Sequence, residues 1–149
     1  MAIWFQTHLR RISVRAPTIR RVAQSILVEA RHPTAHLSLS LVGKTRMRSL
    51  NRKYRGRDYP TDVLAFPMAS AGKQREVFLG DVVICLPIAI GQAARFGNTA
   101  DQEILRLLIH GTLHLLGYDH EQSPREATRM QRKERAMVQK LSPIPRLLI

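Results

Sequence analysis

The stretch His110-Gly111-Thr112-Leu113-His114-Leu115-Leu116-Gly117-Tyr118-Asp119-His120 decides how this chain is read, because it holds three of the six histidines at a spacing that suits one metal ion. His110 and His114 are four residues apart, which on a helix stacks them on one face, one turn above the other. Gly117 supplies the left-handed stop that ends the helix. The chain reverses there and can return His120 toward the same point, so that two helical positions and one loop position form a tripod of neutral nitrogens. Such a set leaves the fourth position of a tetrahedral ion open, as catalytic sites do.

Working outward, Ile104, Leu107, Leu108, Gly111 and Leu115 share one helical face, and Leu105, Ile109, Leu113 and Leu116 cover the next. This helix is apolar nearly all round, which predicts burial. Glu103, His110 and His114 form its polar stripe, and buried titratable groups need partners. A single histidine there is ordinarily a hydrogen-bonded core residue, but three at this spacing point to a shared metal. Zinc suits three imidazoles best, with nickel, copper or iron as alternatives. A catalytic ion lowers the pKa of a bound water to about 7 and polarises carbonyl or phosphoryl oxygens, so hydrolysis is the expected reaction class. The spacing also matches the three histidines and the glycine of the metzincin pattern H-E-x-x-H-x-x-G-x-x-H. Gly111 stands where those proteases need their glutamate base, which disfavours peptidase chemistry.

The length of 149 residues suits one domain, residues 1–149, with a core of its own. No apolar run approaches the ~20 residues of a membrane span, so a soluble protein without a membrane partner is expected. Cys85 is the single cysteine, which forbids an intrachain disulfide and fits a reducing compartment such as the cytoplasm. The formal net charge of +13, from 24 Lys and Arg against 11 Asp and Glu, favours a polyanionic partner such as RNA, DNA or an acidic membrane. The charge is spread along the chain, and no single run marks a binding face. The first 28 residues carry five arginines and no acid, as organellar transit peptides do. Thr18 followed by Ile19, Val22, Ile26, Leu27 and Ala30 on one face instead reads as a capped helix of the fold.

The remaining pattern is mixed. A first strand is expected within residues 3–14, and the alternation of Leu37, Leu39 and Leu41 with serines predicts a second. Lys44 to Tyr54 reads as a short basic helix with Met47, Leu50 and Tyr54 inward. Thr61 to Phe66 and Val77 to Cys85 read as strands, joined by an exposed, mobile connection from Pro67 to Gln74. Leu86 to Phe96 is a helix ended by Gly97, and Thr99 with Gln102 makes a capping box opening the histidine helix. Ser123, Pro124 and Glu126 repeat the device before a last helix lined by Ala127, Met130, Glu134, Met137 and Leu141. The expected fold is α+β (mixed α/β), a sheet of about four strands packed against helices, with the metal site at the C-terminal end of a central buried helix.

Three segments together resemble the YbeY family of endoribonucleases and ribosomal RNA maturation factors. Residues 110–120 look like its H-G-x-L-H-L-x-G-[YF]-x-H signature. Leu50 to Pro67 (LNRKYRGRDYPTDVLAFP) is similar to its L-N-x-x-Y-R-x-x-D-x-P-T-[DN]-V-L-S-F-P segment, and Leu79 to Ile84 (LGDVVI) to its L-G-D-I-x-I strand. The resemblance implies one zinc ion at His110, His114 and His120 and metal-dependent, single-strand-specific hydrolysis of small-subunit (16S) ribosomal RNA, including its 3′ end. It further implies ribosome quality control alongside small-subunit proteins and assembly factors. Arg55 holds the position of the arginine linked to activity in the family, and a guanidinium can fork two donors onto a phosphate as charge develops. Ala65 and Cys85 depart from the family, which usually has serine at both positions. Asp119 is expected either to orient a histidine or to bind only its own loop, and Tyr118 to pack the turn. Two other functions fit the residues: a non-catalytic RNA-binding assembly factor with a structural metal, and a metal-dependent hydrolase of another substrate class.

Overall fold

A computed structural model of the chain describes residues 2–68 and 77–149. Among these residues four strands and five helices follow in the order β1 (Ile3–Thr7), α1 (Ala16–Glu29), β2 (His36–Val42), α2 (Lys44–Arg55), β3 (Val63–Pro67), β4 (Phe78–Cys85), α3 (Leu86–Arg95), α4 (Ala100–Leu115) and α5 (Pro124–Leu141). The strands form one sheet in the order β1-β2-β4-β3. The first three are parallel, and β3 closes the edge antiparallel to β4. The expected α+β class is therefore the observed one. The connection foreseen from Pro67 to Gln74 lies outside the described residues beyond Met68.

The period of two assigns each side chain to a face. Leu37, Leu39 and Leu41 of β2, with Val82 and Ile84 of β4, join the main core under the other helices. Val83 and Cys85 point the opposite way, into a smaller cluster with Val42, Leu64 and Met47 of α2. Helix α4 lies on the main-core face, against β3 and β4, with α3, α1 and α5 packed around it. Ten of its sixteen residues are buried, so its apolar periphery is satisfied on nearly every side.

Gly111 permits that placement. A Cβ there would stand 2.7 Å from Val82 Cγ1 and 3.4 Å from Val63 Cγ2, so any side chain would push the helix off the sheet. The close approach carries the histidines of α4 to the rim of the sheet beside β3.

Three local expectations are corrected. Helix α1 begins at Ala16, with Arg15 as cap and proline in the first turn; Thr18 lies inside the helix and is buried, because Pro17 already starts the turn. Tyr54 is half-exposed, since α2 covers only a small cluster and the Tyr54 ring meets Phe66 edge-on, with ring centroids 5.2 Å apart. At α5, Ser123 accepts from the Glu126 amide at 3.1 Å, but the Glu126 carboxylate turns to Arg129 at 3.3 Å, leaving half a capping box. At Thr99 the reciprocal box with Gln102 is complete.

Candidate metal centre and its cleft

Helix α4 ends in a Schellman motif: Tyr118 N–H donates to the Leu113 carbonyl at 3.0 Å and Gly117 N–H to that of His114 at 3.1 Å. Gly117 takes φ +99, which L side chains rarely adopt, and this reversal sends the following loop back across the helix end. Asp119 then accepts from the Glu121 amide at 2.8 Å, so its bond is to its own loop. The outcome is convergence. Ligand-capable atoms of His110, His114 and His120 all lie within 4.8 Å of one another. His114 Nε2 and His120 Nδ1 are 3.0 Å apart, close to the roughly 3.3 Å between two nitrogens held at 2.0–2.1 Å by one tetrahedral ion.

The donor chemistry fits a cation. Burial, and then the neighbouring His110 and His120, push the His114 pKa below its ordinary value, so its ring is neutral and its lone pair available at pH 7. His110 is oriented from outside the tripod. Its Nδ1 lies 3.1 Å from Glu134 Oε2 of α5. Burial alone would raise the Glu134 pKa, but the hydrogen bond and charge of His110 and the charge of Arg106 outweigh it and hold the group below the usual carboxylate range. An ionised carboxylate beside Nδ1 favours the tautomer that carries its proton there, the one in which metal-binding histidines offer Nε2.

Arg106 ties the two helices together. Its Nε donates to Glu103 at 2.7 Å and its Nη1 to Glu134 at 3.2 Å. Glu103, 2 % exposed, is thus neutralised by an arginine one turn away; the polar stripe on α4 is shared between a salt bridge and the histidine cluster, not given wholly to a metal.

The tripod forms one wall of a cleft of about 560 Å³ whose other walls come from α2, the segment before β3, and β3 itself. Arg55 stands on the opposite wall, where its Nη2 donates to the Ala65 carbonyl at 2.8 Å and its guanidinium lies 5.3 Å from the Phe66 ring centroid. The Ala65 departure therefore does meet Arg55, through the backbone, which any residue would supply. Arg57 lines the same space, and among the described residues neither arginine is paired with a carboxylate. Asn51, buried, braces the preceding segment by donating to the Tyr59 carbonyl at 2.8 Å. Asp62 faces the cleft with one oxygen on the Val63 amide at 2.8 Å and the other on Gln92 at 3.2 Å. Sequence reasoning did not assign Glu134, Arg106 or Asp62 to the site. An acid inside the otherwise apolar stripe of α5 was the available signal for Glu134.

Compared with known proteins, residues 5–142 match the sequence model of the family described as endoribonuclease YbeY, from β1 to the end of α5. The chain belongs to the YbeY family. Similar relatives of that name include one from Persephonella marina, 44 % identical over 116 residues covering 77 % of this chain and 76 % of that protein. Another, from Geobacter metallireducens, is 38 % identical over 138 residues, covering 91 % and 92 %. The solution structure of a Thermotoga maritima protein superposes with a TM-score of 0.65 at 28 % identity, covering 93 % of this chain and 88 % of that one. Both the histidine run and Arg55 of this YbeY-family chain fall inside the matched residues. Among the described residues no helix is long and apolar enough to cross a membrane.

Proposed function

We propose that this YbeY-family chain is a zinc-dependent endoribonuclease that cuts single-stranded RNA, acting on small-subunit ribosomal RNA, including its 3′ end, and in ribosome quality control. We place it in the cytoplasm, beside small-subunit proteins and assembly factors. The observation that carries this reading is that one cleft is lined both by three convergent histidines and by Arg55, which has no carboxylate partner among the described residues.

His110, His114 and His120 would hold the metal, zinc in preference to nickel. When bound, the ion supplies Lewis acidity toward a phosphoryl oxygen and lowers the pKa of water. The protein's own residues do the rest. Glu134 holds the His110 ring in one tautomer, and Arg106 holds Glu134. Arg55, anchored by one donor to Ala65, has further N–H groups to present to a phosphate, stabilising charge that grows as the phosphodiester is attacked. Arg57 adds attraction for the backbone. Peptide hydrolysis is poorly served: Gly111 occupies the place of a base, and its packing on Val82 leaves no room for one.

A second reading is favoured by the same geometry, because a metal bridging α4 to His120 would also staple the following loop in an RNA-binding assembly factor. Replacement of His114 by Ala separates the two. A folded variant that binds single-stranded RNA but does not cleave it supports catalysis, whereas unfolding together with metal loss supports the structural role. Product analysis names the attacking oxygen: 2′,3′-cyclic phosphate ends assign it to the ribose 2′-OH and exclude added water.

A further inference from the structure

We propose that the outward face of α5 is a track for the phosphates of a single-stranded RNA running out of the histidine cleft. The inference rests on the RNA reading above and adds the binding face. At 100° per residue, Arg125, Arg129 and Arg132 fall together on the exposed side of α5 and Lys133 on its flank, next to the stripe of buried Met130, Glu134 and Met137. Arg125, Arg129 and Lys133 follow one another at four-residue steps, a rise of about 6 Å each, which keeps pace with the phosphates of an extended strand.

A charged helix face is usually no more than solvated surface, and three observations set this one apart. Its side chains line a shallow depression of about 680 Å³, together with Tyr118. Arg125, Arg132 and Lys133 have no carboxylate partner among the described residues, and only Arg129 is met by an acid, Glu126, at 3.3 Å. The depression also adjoins the loop that carries His120. Tyr118 lies two residues before His120, and the Arg129 guanidinium stands 4.5 Å from its ring centroid. Tyr118, packed against the core on one side and covered by Arg129 on the other, anchors the cations beside the His120 loop, where they can neutralise the phosphates of a strand leaving the cleft.

The test compares the intact holoprotein with the triple variant Arg125→Gln/Arg132→Gln/Lys133→Gln. Arg125 and Arg132 are exposed and Lys133 is half-buried on the flank of α5, Arg129 and Tyr118 are left in place, and glutamine keeps much of each stem, so the variant should fold normally. Binding of a single-stranded RNA of about twelve nucleotides, made uncleavable by 2′-O-methyl and phosphorothioate substitution, is followed by anisotropy across a salt series. Three lost phosphate contacts should lower the slope of log affinity against log salt by about 2 and weaken binding about tenfold near physiological salt. In cleavage of an unmodified strand of that length, KM should rise by about the same factor while kcat holds. A strand of about four nucleotides, too short to leave the cleft, should be cut equally by both proteins. An unchanged slope and KM in the variant would overturn the track while leaving the RNA reading intact. An unchanged RNA slope with weakened binding of poly-glutamate would overturn it in favour of an acidic protein partner. Absence of any salt-dependent RNA binding by the unmodified protein would remove the RNA reading and the track together.

Discussion

The substitution Glu134→Gln changes one atom and should disable the orientation of His110. In the native site Glu134 Oε1 accepts from Arg106 at 3.2 Å while Oε2 faces His110 Nδ1 at 3.1 Å, so both oxygens act as acceptors. Glutamine has one acceptor and one donor end. If its carbonyl stays with Arg106, the amide points an N–H at His110 Nδ1, which forces the ring proton onto Nε2, the nitrogen meant for the metal. If its carbonyl stays with His110, two donors confront each other at Arg106. Loss of such an orienting partner ordinarily weakens metal affinity about 10–100-fold, or roughly 1.4–2.8 kcal/mol. Arg106 keeps its bond to Glu103, and with 40 % of its side chain exposed it can rehydrate, so the global cost is small, about 1 kcal/mol. The assay is zinc competition against a chromogenic chelator, with the His110 tautomer read from ring nitrogen shifts in the metal-free protein. A variant with native zinc affinity and the proton still on Nδ1 would refute the reasoning.

Other outcomes follow from the same geometry. Gly111→Ala gains about 1 kcal/mol of helix propensity but drives a methyl group into Val82, and urea unfolding should show net destabilisation of roughly 1–2 kcal/mol; in a Val82→Ala background the same change should stabilise, and destabilisation there would contradict the packing account. Arg55→Lys keeps the charge and loses the fork, so RNA cleavage should fall about a hundredfold with folding unchanged; full activity would exclude a specific phosphate contact. The metal-free protein should lose stability as pH falls through about 6.5. The folded His114 pKa lies below its unfolded value, so the unfolded chain binds more protons in that window; the histidine's penalty is absent above it and complete below the folded pKa. Denaturant midpoints that do not change between about pH 7.5 and pH 5 would contradict this.

Features governed by neighbouring residues were legible in the sequence. The Thr99–Gln102 box, the glycine reversal at Gly117, the alternation in β2 and the i, i+4 histidines are all set within a few residues, and the structure forms each of them. The Thr18 cap was misread within that same range, because Pro17 could open the helix earlier and the more familiar cap residue was preferred. What could not be read depends on distant contacts. Glu134 is 24 residues from His110, and only the packing of α5 on α4 joins them. Glu103 stood in the sequence as a buried acid in need of a partner, and Arg106, three residues on, supplies it. The Arg55 wall of the cleft became adjacent to the histidines only when β3 paired antiparallel with β4 and α4 settled over both strands.

The central claim is that the three histidines bind a metal that RNA cleavage requires. The most direct measurement strips the purified protein with a chelator, counts the metal released, and follows cleavage of single-stranded RNA before stripping, after it, and after restoring one equivalent of zinc. The account predicts one ion per chain, loss of cleavage with its removal, and recovery on its return in the native protein but not in His114→Ala. Undiminished cleavage by the stripped protein would contradict it.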